Sequence, residues 1–461
     1  MPESQAVGVI LAGGKGTRMK SDLPKGLHKV AGVPMVELIG RAMKAAGIQR
    51  VVIVVGHRGE LIQEALGDKY EYAWQDKQLG TGHAASMTRP LLVDHAGPLV
   101  IAPGDAPLLS KEVFEAILEE HKGVACTLAI ATLEDPTGYG RVIRDDKGVP
   151  CRIVEEKDAS PEQKKIKEVC TSLYCFDAQA LFKGIKNLKN ANAQGEYYLT
   201  DMVNILHGQG GKLQTFSTQD PGVLLGVNDR WQLSEAEKGM RMALLKKHAM
   251  DGVTLIDPDT TYIGLDVEIG VDTVIEPCTS ILGATKIGSS CKIGPNTRIE
   301  NSSIGESCTV LMSHLVRSTL GNEVKCGPFA NLRPGTVLKD RVKIGNFVEV
   351  KNSSVGQETS ISHLSYIGDA ELGAETNIGA GTITCNYDGF VKSKTTIGDG
   401  VFVGSNSTLV APITLEDGSF VAAGSTVTHS VPADGAAFGR ARQETKEGWA
   451  EKWREKKRSQ Q

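Results

Sequence analysis

The sequence lacks any long uninterrupted apolar run. None approaches the ~20 residues needed to span a bilayer as a helix, so no membrane partner is expected. It also lacks a charge excess: 51 Lys and Arg stand against 55 Asp and Glu, a net −4. Nucleic-acid binders usually carry a strong basic surplus, so no nucleic-acid partner is expected either. Residues 1–8 hold no charged segment followed by an apolar stretch, so no secretory leader is expected. The nine cysteines are odd in number and form no CxxC pair. They read as reduced thiols of a cytoplasmic protein, not as a disulfide or zinc framework. Proline is modest at 18 residues, which excludes a collagen or a disordered linker. Both common phosphate-loop motifs are missing. GxGxxG fails because Met19 occupies its last glycine position, and GxxxxGK[ST] does not occur. A nicotinamide dehydrogenase and a P-loop NTPase are therefore disfavoured.

What is abundant is glycine: 52 of 461 residues, against a usual ~7%. The first 230 residues do not explain it. There, apolar runs at 7–12, 51–55, 99–102 and 126–131 read as buried parallel strands, and 35–46 and 111–121 carry apolar residues at helical spacing. This alternation predicts an α/β doubly wound sheet, with ligands outside the carboxyl ends of its strands. Residues 229–248, charged and free of proline, predict one long helix with apolar Leu233, Met240, Leu244 and Leu245.

From Tyr262 onward the period becomes six. Ile263, Ile269, Ile275, Ile281, Ile287, Ile293 and Ile299 are all isoleucine. The register slips at Ile304, then continues through Val310 and Val316. It reappears at Val355, Ile361 and Ile367, at Leu372 and Ile378, and from Ile397 to Val427. A six-residue period fits a parallel β-helix, in which each short strand sends one aliphatic side chain inward before a corner. Glycine follows the aliphatic residue at 264, 270, 288, 294, 368 and 398. Tolerance of positive φ at corners is the expected reason. Residues 320–344 read as irregular, 385–396 as an inserted loop, and 443–461 as a charged tail, either a short helix, a packing arm or a disordered end.

Chemistry concentrates at a few places. Leu11, Ala12, Gly13 and Gly14 end the first strand in a glycine-rich turn whose N–H groups can hold phosphate oxygens. Lys15, Arg18 and Lys25 add cations, favouring a triphosphate. Asp105 follows the strand at 99–102 and suits Mg²⁺, or else caps the next segment. Within the six-residue repeat, His363 lies at an outer position, close in sequence to Glu349 and Lys351. It is a candidate proton acceptor near neutrality.

The opening at residues 11–19, Pro24-Lys25, residues 78–83, 135–141, 194–201, 346–349, 378–389 and 446–449 together resemble the bacterial bifunctional UDP-N-acetylglucosamine pyrophosphorylase / glucosamine-1-phosphate N-acetyltransferase family over nearly the whole chain. The resemblance implies a Rossmann-like nucleotidyltransferase domain at 1–228, a linker helix at 229–250, and a left-handed parallel β-helix of hexapeptide repeats at 251–461. It implies a first site in which Leu11, Ala12, Gly13, Gly14, Gln75, Gly80 and Thr81 hold the nucleotide. Arg18 and Lys25 meet phosphates there and take part in catalysis. Gly140, Glu155, Cys170 and Asn228 contact the sugar, and Asp105 with Asn228 binds Mg²⁺. In the second site it implies Arg333, Lys351, Tyr366 and Asn377 on the sugar phosphate, with His363 as general base and Glu349 orienting it. Ala380, Asn386, Tyr387, Ser405, Ala423 and Arg440 would hold acetyl-CoA. The implied substrates are UTP, glucosamine 1-phosphate, N-acetylglucosamine 1-phosphate and acetyl-CoA, and the implied assembly is a homotrimer. The alternative is a sugar-1-phosphate nucleotidylyltransferase whose β-helix is not catalytic.

Three motifs depart from the family pattern. Cys170-Thr171-Ser172 stands where Asn-Thr-Gly is usual, Pro103 precedes Gly104-Asp105 where tyrosine is common, and Gly13 replaces a common alanine. Cys170 either faces the sugar or packs as a small buried hydrophobe.

Overall fold

The computed structural model describes residues 5–460. Residues 1–4 of the segment read for a leader, and residue 461 of the tail, lie outside them. The chain forms two compact units, 1–243 and 244–461, and the division falls inside the helix Arg230–Met250. No helix among the described residues is long and apolar enough to cross a membrane.

In the first unit, strand Val7–Ala12 lies at the centre of a sheet, in parallel register with Arg50–Val55 on one side and Pro98–Pro103 on the other. Alternate side chains of each strand enter the cores on the two faces. Val9, Val52 and Ile101 go to one; Ile10, Ile53 and Val100 go to the other. The sheet is not wholly parallel, as the sequence led one to expect. Strand Glu168–Asp177 inserts antiparallel between Pro98–Pro103 and Cys126–Thr132. A mixed sheet of this kind still buries both faces, so apolar runs alone cannot reveal the direction of one member.

The second unit is a left-handed parallel β-helix. Strands of two to four residues stack on partners one coil away, as in the pairs Tyr262↔Ser280 and Ser280↔Arg298. Three sheets of eleven, ten and nine strands result. One continuous aliphatic column, from Ile263 to Val427, fills the interior.

Two expectations fail here. Residues 320–344 are regular: Cys326, Leu332, Leu338 and Ile344 all point inward at the six-residue period. The thiol of Cys326 takes an aliphatic place, as a small hydrophobe can. The inward residue after Val310 is Leu315, not Val316, because the register slips a second time.

The expected reason for the glycines holds at Gly283, Gly335, Gly381, Gly418 and Gly424, which take positive φ, but not at most of the six that follow an inward aliphatic residue. Of the six quoted, only Gly294 has positive φ, at 101°. Left-handed corners are shared between glycines of positive φ and Asp272, Cys278, Ser290, Asn296 and others. The constraint at most of the six is close stacking of successive coils. A Cβ on Gly288 would sit 2.7 Å from the carbonyl carbon and oxygen of Gly305. Gly288→Ala should therefore cost about 1–3 kcal/mol, the usual range for overpacking. Calorimetry should show a lower unfolding midpoint for the variant, and an unchanged midpoint would contradict the stacking argument.

Candidate functional site

In the first unit, the carboxyl end of the central strand opens on a cavity of about 260 Å³, lined by Leu11, Ala12, Gly14, Gly16, Thr17, Arg18, Lys25, Gly26, Gly104, Asp105 and Asn228. The local sequence explains the close fit. Gly16 adopts a φ of 59°, and a Cβ there would meet the Lys25 stem at 2.8 Å. A Cβ on Gly14 would meet nothing within 4 Å, which leaves that backbone open to a ligand. Asp105 is tied to the chain before the long helix: its carbonyl accepts from Val227 N–H at 2.8 Å. A Cβ on Gly226 would lie 2.8 Å from Asp105 Oδ1.

Asn228 is thereby held beside Asp105. Lys25 Nζ donates to Asp105 Oδ2 in a very short contact and to Asn228 Oδ1 at 2.9 Å. Arg18 donates to the same amide oxygen at 2.8 Å. Two hard oxygens thus converge on a point where a positive charge already sits. Among the described residues, no group of three or more His, Cys, Asp or Glu could form a complete protein cage. This donor set fits Mg²⁺, which needs few protein ligands and completes its shell with phosphate oxygens and water.

Nearby, Gln75 is buried and donates to Gly80 O at 3.1 Å. A Cβ on Gly13 would approach Gln75 Oε1 to 2.7 Å, so the glycine at this position makes room for that amide. Thr81 Oγ1 accepts from Leu199 N–H, which joins the 78–83 motif to the 194–201 motif. A second group surrounds Glu155, close to Gly140. Burial pushes its carboxyl above the usual range, and Thr200 donates to it at 2.9 Å. Tyr139, next to Gly140 in the chain, lies within reach of the first group. Burial raises its hydroxyl pKa, and the charges of Asp105 and Arg18 also act on it.

Cys170 is 4% exposed and belongs to the core. Its Sγ lies 3.1 Å from Tyr174 Oη, and burial pushes the thiol up to about 11. Ser172 has a φ of 62°, the left-handed region that favours glycine. The ladder of this strand shifts register between Cys170 and Tyr174. Cys170→Asn should bury an amide with Tyr174 as its partner and destabilise the fold by about 1–3 kcal/mol. The KM for the first-site sugar phosphate that the resemblance implies should not fall. A clear drop in that KM at unchanged stability would show that position 170 faces the sugar.

In the second unit, His363 ends strand Ser360–His363 and is exposed. It belongs to a column repeated on successive coils. Asn346 is its register partner. Gly381 N–H bonds to His363 O, Asn406 N–H to Ala380 O, and Gly424 N–H to Ser405 O. Asn346, His363, Ala380, Ser405 and Ala423 are therefore stacked at one corner. Beside it, Lys351 and Tyr366 lie on the next sheet, and Arg333 directly follows a strand of that sheet. Asn377 lies apart, in register with Ser360 rather than His363.

Glu349 does not orient His363, contrary to expectation. It accepts from Arg333 at 2.8 Å and from Asn331 at 3.3 Å, because its strand lies on the neighbouring sheet. Asn346 Oδ1 meets His363 Nδ1 instead, at 2.6 Å. Its place in the 346–349 motif was the only sequence signal for that contact. Asn386 is buried and donates to Asp369 in a very short contact, while Asn352 donates to the other oxygen at 2.6 Å. Tyr387 lies in the inserted loop, bridged to Lys392, and Arg440 is exposed beyond the last strand.

A glycine-rich turn, a lysine and a carboxylate at the end of an α/β sheet, followed by a hexapeptide β-helix, define a nucleotidyltransferase fused to an acyltransferase-type solenoid. Residues 8–184 match the MobA-like NTP transferase domain, and residues 394–429 match the hexapeptide repeat of succinyl-transferase. The chain is 49% identical to the bifunctional protein GlmU of Caldanaerobacter subterraneus, covering 97% of this chain and 98% of that one. It is 47% identical to that of Acetivibrio thermocellus, with 96% of each covered, and 46% identical to that of Streptococcus agalactiae, with 96% and 97% covered. The chain belongs to the bifunctional GlmU family.

Proposed function

We propose that the two units carry separate active sites, a uridylyl site within residues 1–228 and an acetyl site within 251–461, with 229–250 as the linker helix. The enzyme acetylates glucosamine 1-phosphate and then couples N-acetylglucosamine 1-phosphate to UTP. The products are UDP-N-acetylglucosamine, a cell-wall precursor, and pyrophosphate. These substrates belong to the cytoplasm.

The observation that carries this reading is the convergence of Lys25, Asp105 and Asn228 at the end of the central strand, together with a separate His363 column in the β-helix. At the first site, a sugar-phosphate oxygen attacks the α-phosphorus of UTP in line, and the bond to pyrophosphate breaks. Arg18 and Lys25 leave Asn228 and Asp105 to neutralise phosphate charge, and the 13–17 backbone positions the chain of phosphates. Mg²⁺, held by Asp105 and Asn228, would offset the charge developing on the phosphate oxygens. Gly140 and Glu155 face the sugar.

At the second site, Arg333, Lys351 and Tyr366 hold the sugar phosphate. The amine nitrogen attacks the acetyl-CoA thioester carbon. A C–N bond forms, the C–S bond breaks, His363 takes the amine proton, and coenzyme A leaves as thiolate. Asn386, Tyr387, Ala380, Ser405, Ala423 and Arg440 contact acetyl-CoA.

A homotrimer suits the surface beside this column. Phe329 and Phe347 are 53% and 55% exposed and stack at 5.2 Å. Leu364 continues the stripe at 64%. All three hold positive φ, a costly arrangement for exposed apolar side chains that a second copy would cover. Asn377, distant from the cluster on its own chain, would then serve a neighbour's site. Assaying each half-reaction separately with purified protein tests the whole reading. Acetyl transfer absent alongside active uridylyl transfer would favour a β-helix that is not catalytic.

A further inference from the structure

We infer that Asn346 is a positioning residue that fixes the tautomer of His363. This inference rests on the reading of His363 as general base. The amide oxygen of Asn346 lies 2.6 Å from His363 Nδ1. A carbonyl-type oxygen can only accept, so Nδ1 carries the proton and Nε2 keeps its lone pair. Among the described residues, Nε2 makes no hydrogen bond, which leaves it free for the substrate amine.

The contact is built by the fold. Asn346 and His363 are register partners on adjacent coils. Leu364 N–H bonds to Asn346 O at 3.1 Å, and the carbonyl of His363 accepts from Gly381 N–H at 3.2 Å and from Ser365 Oγ at 2.9 Å. Both side chains are therefore set by backbone bonds on either side of one corner.

The choice of amide over carboxylate has a chemical consequence. A carboxylate against Nδ1 would also fix the tautomer, but its charge would stabilise the imidazolium and hold the base protonated to higher pH. The neutral amide orients the ring without that penalty. It also places no negative charge beside an anionic sugar phosphate.

The test uses the full-length enzyme. Asn346→Ala should lower kcat for acetyl transfer roughly 10–100-fold, a part of the full general-base contribution, with little change in either KM. Asn346→Asp keeps the acceptor. Its activity on the alkaline plateau should stay within a few-fold of the parent, and the acid limb of its kcat profile should move up by about 1 pH unit. Uridylyl transfer should be unchanged in both. Nitrogen-15 NMR of labelled histidines, with the 363 signal assigned by its loss in His363→Ala, should show the Nδ1–H tautomer in the parent and the Nε2–H tautomer in Asn346→Ala. An Nε2–H tautomer in the parent, or an Asn346→Asp variant as slow as Asn346→Ala with no shifted acid limb, would overturn the inference. If His363→Ala itself retained acetyl transfer, the general-base reading would fail instead, whatever the tautomer proved to be.

Discussion

Replacing His363 by alanine is expected to lower acetyl transfer by roughly 10²–10⁴-fold, the usual contribution of a general base. Uridylyl transfer should stay at the parent rate. The first effect follows from position. His363 is exposed at a corner, beside the sheet that carries Lys351 and Tyr366 and leads into Arg333, and in one column with Ala380 and Ser405. The second follows from the organisation of the chain, because the Lys25, Asp105 and Asn228 cluster belongs wholly to the other compact unit. The amine of glucosamine 1-phosphate must lose a proton to become acetylated, and no other imidazole stands in this column. Measuring both half-reactions on the same preparation decides the matter. Near-normal acetylation by the variant would sink the assignment of the base.

Asp105→Ala should reverse the pattern. Uridylyl transfer should fall by at least on the order of 10²–10³-fold, the scale of losing one preorganised electrostatic group, while acetylation is spared. Two things are lost together: a hard oxygen that would hold Mg²⁺, and the counter-charge that parks Lys25 in the cavity. With the carboxylate gone, added Mg²⁺ should no longer restore the rate in a titration that saturates the parent. Excess EDTA should silence the parent's uridylyl transfer as well. If EDTA left that activity intact, the metal role of Asp105 would be wrong.

The spacing of apolar residues made much of this molecule legible. Strand Val7–Ala12 coincides with the apolar run that announced it, and helix Arg230–Met250 lies within two residues of its expected bounds. The isoleucines at a period of six specify a β-helix because only a corner every six residues sends each of them inward. Where the pattern misled, the cause was a residue type or a count. Cys326 filled an aliphatic position that a search for branched side chains passes over, and the slip at Leu315 shortened one edge of a coil. The clustering of the first site was legible as well, since the glycine turn and Asp105 each follow a strand of one sheet and meet at its carboxyl end.

The sequence by itself determined the two architectures, the order in which they occur and the residue types that bear chemistry, because periodicity and local motifs are properties of neighbours along the chain. Only the tertiary structure decided which of those residues touch. Glu349 and Asn346 lie in one four-residue motif, yet Glu349 turns to Arg333 while Asn346 meets His363, because a corner separates them onto different sheets. The antiparallel insertion of Glu168–Asp177 between two strands buries Cys170 in the core, a consequence of strand order that no apolar count contains. Glycines such as Gly270, Gly288 and Gly356 answer to the backbone of the next coil, some seventeen or eighteen residues away. Contacts of that range are set by register and closure, which come into being only when the chain has folded.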